Sequence, residues 1–403
     1  MAVAQGTNKS IAVKKETTWG TMAGASGAKY LRRKTAEFNL TKDTYESAEI
    51  RTDKQIAVKE HGIRKVSGTI AAELSPGSYS DFLGSIVGQA FSAGASTSSA
   101  NLTIASSGVF WTVTRAAGSW ITDGFNPGNI ARITAGTGLN VANLNNNMLL
   151  ITVTDLVLTV KVMSSTSFVA GTGTSCAISV QGKETWIPTT GHTDESYTIE
   201  QWYSDIAQSE VFSGCKLSSV KVSVPTTGMV SADFTFAGKD LASHGTTQYF
   251  TSPTAASTSS VFTSVQGALI VNGVAGACVT SADFTINRAT QDSTCIGGNS
   301  LSNIFTGKIT ASGSLNAYFA DSSLRDIFDT ASTVTLILAV ATSDAKNADA
   351  MVFCFPKVKF DSSSVPDAEL GLTQQVAFTA LLNDNTTSNG MLNTTVFMQD
   401  TSI

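Results

Sequence analysis

Hydrophobic and polar residues alternate along most of this chain in short runs bounded by Gly, Ser, Asn and Asp. A period of two marks a strand with one buried face. Recurring Val/Ile/Thr/Phe runs between turn residues predict an all-β protein. IRKVSGTIAAEL (63–74) and KITASGSLNAYF (308–319) share one pattern, with Ser-Gly at the same phase. Upstream, KTAEFNLTKDTYES (34–47) parallels TSADFTINRATQDS (280–293), with Phe38 and Phe284 at the matching place. Downstream, SPGSYSDFLGSIVG (75–88) and ADSSLRDIFDTAST (320–333) change to helical spacing: Tyr79, Phe82, Leu83 and Ile86 in one, Leu324, Ile327 and Phe328 in the other. Each predicts one short helix, with Pro76 near the first entry and Ser322 as a cap of the second.

Residues 210–240 and 350–384 correspond more loosely, each reading as a strand, a turn and an alternating strand. The predicted order in both copies is therefore three strands, a helix and three strands, which four matched elements support better than one matched pair would. Residues 97–187 have no counterpart; they follow the spacer SAGASTSSA (92–100) and hold tight turns such as Asp123-Gly124 and Asn126-Pro127-Gly128. The expected organisation is a first β-sandwich or half-barrel split over 1–96 and 188–250, a small inserted β-domain at 97–187 with Trp111, Trp120 and Phe125 in its core, and a second sandwich at 251–403. One short helix flanks each sandwich.

Composition narrows the class. The 403 residues are 42% hydrophobic and 14% charged, too apolar for disorder and low in charge for a typical cytosolic enzyme. Net charge is −5, but residues 1–65 hold 13 Lys/Arg against 7 Asp/Glu, and the remainder holds 13 against 24. A basic first segment on an acidic body favours head-to-tail attraction between copies over general nucleic-acid affinity. The first residues carry no apolar signal-peptide core, and no stretch is long and apolar enough to span a membrane. Cys176, Cys215, Cys278, Cys295 and Cys354 lack metal-ligand spacing and read as buried free thiols.

Chemistry-bearing motifs are missing. His61, His192 and His244 each sit among turn residues and read as solvated loop side chains; neither a G-x-S-x-G elbow nor a phosphate-binding loop is present. NVANLNNNM (140–148) lacks the carboxylates of a calcium site and reads as a polar turn. Asp123, Asp155 and Glu184 are the insert's acids, too few for a comfortable pair of glycan-hydrolase carboxylates. No catalytic, cofactor or metal site is expected.

YESAEIRTDKQIAVKEHG (45–62) stands out between the paired strands of the first copy. Mixed charge is usually a solvated face, yet the segment exceeds the 2–5 residues usual for a hairpin connection. Extended as two arms, it would project roughly 25 Å from the sheet. Such an arm suits contact with a neighbour, its charges setting register more than affinity. The equivalent DSTCIGGNSLSNIFTG (292–307) is almost uncharged.

SIAVKKETTWGT, KYLRRKTAEFNLTKDTYESAEIRTDKQ, GIRKVSGTIAAELSPGSYSDFLGSIVG, GKITASGSLNAYFADSSLRDIF and TQQVAFTALL together resemble the tail tube (major tail) proteins of long-tailed bacteriophages. The resemblance covers most of the chain outside 97–187. It implies copies joined edge to edge into rings, and rings stacked into a hollow tube that carries the genome. It also implies that the long hairpin touches adjacent subunits and rings, here through Glu46, Glu49, Arg51, Asp53, Lys54, Lys59, Glu60 and His61. Family members with one tube domain form hexameric rings; a doubled chain is expected to form trimers with pseudo-sixfold symmetry. Implied partners are the chain itself, the tail terminator, tape measure and distal tail proteins, and DNA in transit; no cofactor and no membrane are implied. The place implied is the virion tail, assembled in the host cytoplasm. A bore free of phosphate-binding Lys and Arg is expected to be net negative. The alternatives are a terminator or baseplate ring, and a surface adhesin, which the missing signal disfavours.

Overall fold

A computed structural model describes residues 3–275, 278–367, 369, 371–384 and 390–403. Among them the chain is mostly strand, with two short α-helices. The first stretch runs β1 (Lys9–Lys15), β2 (Lys29–Tyr30), β3 (Thr35–Glu46), β4 (Lys59–Glu73), α1 (Ser80–Val87) and β5 (Ser92–Ala93). Six strands then close a barrel: β6 (Ser96–Ser107), β7 (Phe110–Arg115), β8 (Ile130–Thr137), β9 (Met148–Val153), β10 (Val157–Val162) and β11 (Gly171–Val180). Next come β12 (Lys183–Trp186), β13 (Tyr197–Tyr203), β14 (Gln208–Val224), β15 (Ser231–Gly238) and β16 (Asp240–Gly245). The last stretch is β17 (Thr263–Val271), β18 (Val274–Ala275), β19 (Val279–Ser293), β20 (Asn303–Tyr318), α2 (Ser323–Asp329), β21 (Thr333–Ala341), β22 (Ala350–Ser364), β23 (Thr373–Leu381) and β24 (Phe397–Asp400).

Alternation does what it predicts locally. Ala232, Phe234 and Phe236 of β15 point inward while their neighbours stay half-exposed. Strands β3, β4, β15, β14, β19, β20, β23 and β22 lie side by side in that order, all antiparallel. β14 is long and turns between layers. Its first half pairs with β13 and β16; its second half lies between β15 and β19. Leaving out short β2, β5, β12, β16, β18 and β24 and the barrel, the order strand-strand-strand-helix-strand-strand-strand occurs twice.

Each helix packs its apolar face on the sheet core. Phe82 of α1 meets Tyr197 and Phe236 edge-on, at ring-centroid distances of 5.2 Å each. Tyr79 is the residue before α1, stacked on Phe234 at 5.1 Å. In α2 Leu324 alone is buried, and the Ser322 hydroxyl bonds the Asp326 carboxylate, not a backbone N–H as a side-chain cap would.

The barrel buries Trp120 and Phe125, which meet edge-on at 5.1 Å; Trp111 is half-buried against Phe168. It docks on the second stretch. Ile130, Leu149 and Ile151 share one apolar cluster with Ile270, Ile337, Val352 and Phe397. The fully buried Gln399 side chain accepts from Ile130 N at 2.6 Å and donates to the carbonyls of Ile130 (2.9 Å) and Gln181 (2.7 Å).

Two local expectations are corrected, and a third gains partners. The Asn run is a turn around a short 3-10 helix, Val141–Asn143, but Asn143, Asn146 and Asn147 are buried in it, and Asn147 reaches Ala348 O at 2.7 Å and accepts from Arg132 at 2.6 Å. Desolvated amides must find partners, and here they clasp the barrel to the chain beyond it. Cys176, Cys215 and Cys354 are buried free thiols, but Cys278 and Cys295 are exposed. His61 and His244 lie within β4 and β16, not in loops.

Candidate assembly surface

The β3–β4 hairpin carries the segment singled out by its charge. Its ladder ends at Glu46 opposite Lys59, so regular strand stops sooner than two fully extended arms require. Ser47 N still bonds Val58 O at 3.0 Å, and beyond that the chain turns at Lys54, whose φ is 58° and whose N–H bonds Arg51 O at 3.2 Å. All residues from 48 to 61 are exposed. The segment therefore contributes almost nothing to the buried core.

The structure brings two pairs of the predicted residues together. Lys59 Nζ meets Glu46 Oε1 at 2.8 Å and closes the base of the arm. Arg51 meets Asp53 at 2.8 Å in the turn; each raises the other's preference for its charged form, so the Asp53 carboxyl lies below its usual range. Glu49, Lys54, Glu60 and His61 are exposed, with Glu60 opposite Tyr45 and His61 opposite Thr44 in the ladder.

Charge directed attention away from apolar residues on the same arm. Ile50 is fully exposed, and Ile56, Val58 and Tyr45 are largely so. Solvated Ile side chains gain from burial against a partner, at about 25 cal/mol per Å² of apolar surface. The signal was visible in the sequence as Ile and Val interrupting a charged run. The arm of the β19–β20 hairpin likewise exposes Ile296 fully. Its backbone touches the base of the first arm in the same chain: Arg64 N donates to Asn299 O at 2.9 Å.

An ion cluster centred on the partly exposed Asp194 joins β14 to the β19–β20 hairpin. Asp194 receives Lys216 Nζ at 2.5 Å and Arg288 at 3.5 Å, and Lys216 also donates to Ile304 O at 2.7 Å. Arg288 further bonds Ser85 O at 3.0 Å and Thr306 Oγ1 at 3.1 Å. Both cations are nearly fully buried, so this cluster fixes how β14 and the β19–β20 hairpin sit together.

The insert's acids are engaged structurally. Asp123 pairs with Arg115 at 2.5 Å, Asp155 accepts from Ser119, and Glu184 accepts from Asn129 at 2.8 Å; burial pushes the Glu184 carboxyl up to about 7 against the opposing pull of that hydrogen bond. Among the described residues no group of three or more His, Cys, Asp or Glu is placed to hold a metal ion. Nor, among the described residues, is any helix long and apolar enough to cross a membrane. No curated protein matches the chain. A family model described as phage tail tube protein matches residues 6–380.

Proposed function

The chain belongs to the phage tail tube protein family, a structural component of the virion tail, and from that premise we propose that it self-assembles into stacked rings forming the tube through which the genome leaves. The observation that carries the reading is the 48–61 arm: exposed throughout, tipped with Ile50 and Ile56, and idle in its own subunit's core. An arm of this kind is explained by a neighbour that buries it. Glu46, Glu49, Arg51, Asp53, Lys54, Lys59, Glu60 and His61 then set its register against adjacent subunits and rings.

The chain holds two tube units, residues 1–96 with 188–250 and residues 251–403, with 97–187 inserted in the first. The doubled element order supports this, as does Phe38 opposite Gly68 repeating as Phe284 opposite Gly313. Three chains would supply six units, so a trimeric ring with pseudo-sixfold symmetry is the expected state. Rings assemble in the host cytoplasm and meet the terminator, tape measure and distal tail proteins. The bore is net negative, so it does not hold the DNA phosphates.

Electron microscopy and native mass spectrometry of the purified protein test this. Filaments built from three-chain rings are expected. Single closed rings that never stack would favour a terminator, six-chain rings would overturn the doubled unit, and a monomer under all conditions would overturn assembly.

A further inference from the structure

The chain already contains one joint between tube units, and it is a template for a second. The second half of β14 adds to the outer edge of β19, with Val220 opposite Ile286, Val222 opposite Phe284 and Val224 opposite Ala282. Both partners have counterparts elsewhere in the chain. β3 lies on β4 as β19 lies on β20, with Phe38 opposite Gly68 and Phe284 opposite Gly313. β22 lies on β23 as β14 lies on β15, down to the bulge: the register slips between Leu217 and Ser219 in one pair and between Phe360 and Ser362 in the other. Ser362–Val365 therefore occupies the place of Ser219–Val222.

Among the described residues these two counterparts have no mates. Among the described residues, β4 is the one strand paired with β3, and β21 leaves β22 at Lys359. Open edges of this kind recruit strands. On β3 the outward carbonyls are met by side chains: Lys9 Nζ reaches Ala36 O at 2.8 Å and Gln201 Nε2 reaches Phe38 O at 3.2 Å. At the occupied joint their counterparts, Ala282 and Phe284, face β14 instead.

The groove beside each edge differs in the same sense. Next to β19, Val224, Pro225 and Thr226 fill the space against Leu269, Val279 and Thr280, and about 120 Å³ remains. Next to β3 an open groove of about 820 Å³ is lined by Lys9, Ile11, Arg33, Lys34 and Ala36. Three cations crowd this groove; burial and the Arg33 charge hold the Lys9 ammonium below its usual range. The unmated end of β22 leads into Asp367 and Glu369, both exposed. The space left at the filled joint has no charged lining, although Lys221 and Asp283 lie in its ladder; the open one offers cations on one side and acids on the other.

Resting on the assembly reading above, we propose that the partner at this surface is a second copy of the chain, whose Ser362–Val365 segment adds antiparallel to β3 with Ser363 opposite Leu40, Ser364 opposite Asn39 and Val365 opposite Phe38. Asp367 then enters the basic groove at Lys9. The absent N–H of Pro366 falls on the β23 side of the strand, so it removes no bond from the new ladder. The contact is head to tail, and repetition closes it into a ring in which internal and external joints alternate.

Cysteine cross-linking tests the register. Asn39 and Ser364 form a non-hydrogen-bonded pair, where opposed side chains come closest. In one chain six strands separate β3 from β22, so a bond between these positions joins two chains. In a C278S/C295S background, which removes the exposed thiols, oxidised N39C/S364C should run as covalent multimers on a non-reducing gel. Each single variant, and the off-register pair N39C/S362C, should stay largely monomeric. D367K/E369K should lose assembly while keeping a native far-UV spectrum, and K9E/K34E added to it should restore assembly. Tubes that form without the N39C/S364C bond, or charge variants that assemble like the parent, overturn this joint and leave the assembly reading standing. Parent protein that never assembles overturns both.

Discussion

The Phe38 ring lies across Gly68 on the facing strand: a methyl group at Gly68 would sit 2.1 Å from Phe38 Cδ1. Phe284 and Gly313 repeat the register, but there the ring at the glycine is that of Phe378 on the other flanking strand: a Gly313 methyl would fall 2.3 Å from Asp283 O and 2.7 Å from Phe378 Cζ. The Ser-Gly phase repeated in the sequence is thus a packing rule, a missing side chain that lets an aromatic ring close the core.

Gly68→Ala is expected to destabilise the fold by about 1–3 kcal/mol through overpacking. Gly68→Ala with Phe38→Leu should recover part of that loss. Denaturant unfolding of both variants checks it; a neutral Gly68→Ala would contradict the contact.

Glu184 gives a pH dependence of definite sign. Its folded carboxyl titrates near 7 because burial disfavours the anion, against about 4.5 unfolded. Between these values the folded state holds the proton more tightly, so this group's contribution is fully present below about pH 4.5 and is lost as pH rises through 7. Glu184→Gln should flatten the fall in Tm between pH 5 and 8. An unchanged slope would show that Glu184 does not cause it.

Asp194→Asn leaves Lys216 and Arg288 buried with their shared carboxylate gone. Because Asp194 is itself partly exposed, the expected loss is about 2 kcal/mol, below that for breaking a wholly buried pair. Thermal melts measure it, and hydrogen exchange should show the loosening centred on β14, β19 and β20.

Gln399→Leu removes the three hydrogen bonds from β24 to Ile130 and Gln181 and leaves the buried Ile130 N–H without its acceptor, while Ile130 O keeps Gln181 N at 2.9 Å. Unsatisfied buried groups cost about 1–3 kcal/mol each. Limited proteolysis should cut faster between 181 and 183, where the barrel leaves the sheet. Unaltered cleavage would mean that the apolar contact alone holds the barrel.

Ile50→Ser with Ile56→Ser should leave monomer stability within about 0.5 kcal/mol, since both side chains are exposed. Tube formation, scored by electron microscopy, should fall sharply. A stable monomer that still forms tubes would remove the arm from assembly.

Much of the secondary structure was legible because burial on one face writes itself into alternate positions. Strand β15 and the Phe38 and Phe284 strands follow that pattern, and helical spacing marked α1. The prominent arm was legible by length and charge, but Ile50 and Ile56 were overlooked because polarity drew the reading. The Asn run is legible as a polar turn, but nothing local tells that Ala348, some 200 residues on, supplies a partner. Cys278 and Cys295 were expected inside for want of any signal placing them outside.

Taken alone, the amino-acid order determined an all-β chain and a doubled series of elements, the first copy interrupted by further strands. Tertiary structure decided that β14 joins β19, that the barrel rests on the second stretch, and that β3 and the end of β22 keep open edges. The reason is physical. Side-chain alternation records which face of a strand is buried, whereas edges meet through backbone N–H and C=O groups that every residue carries alike, so the choice of neighbour is set only when the whole chain has folded.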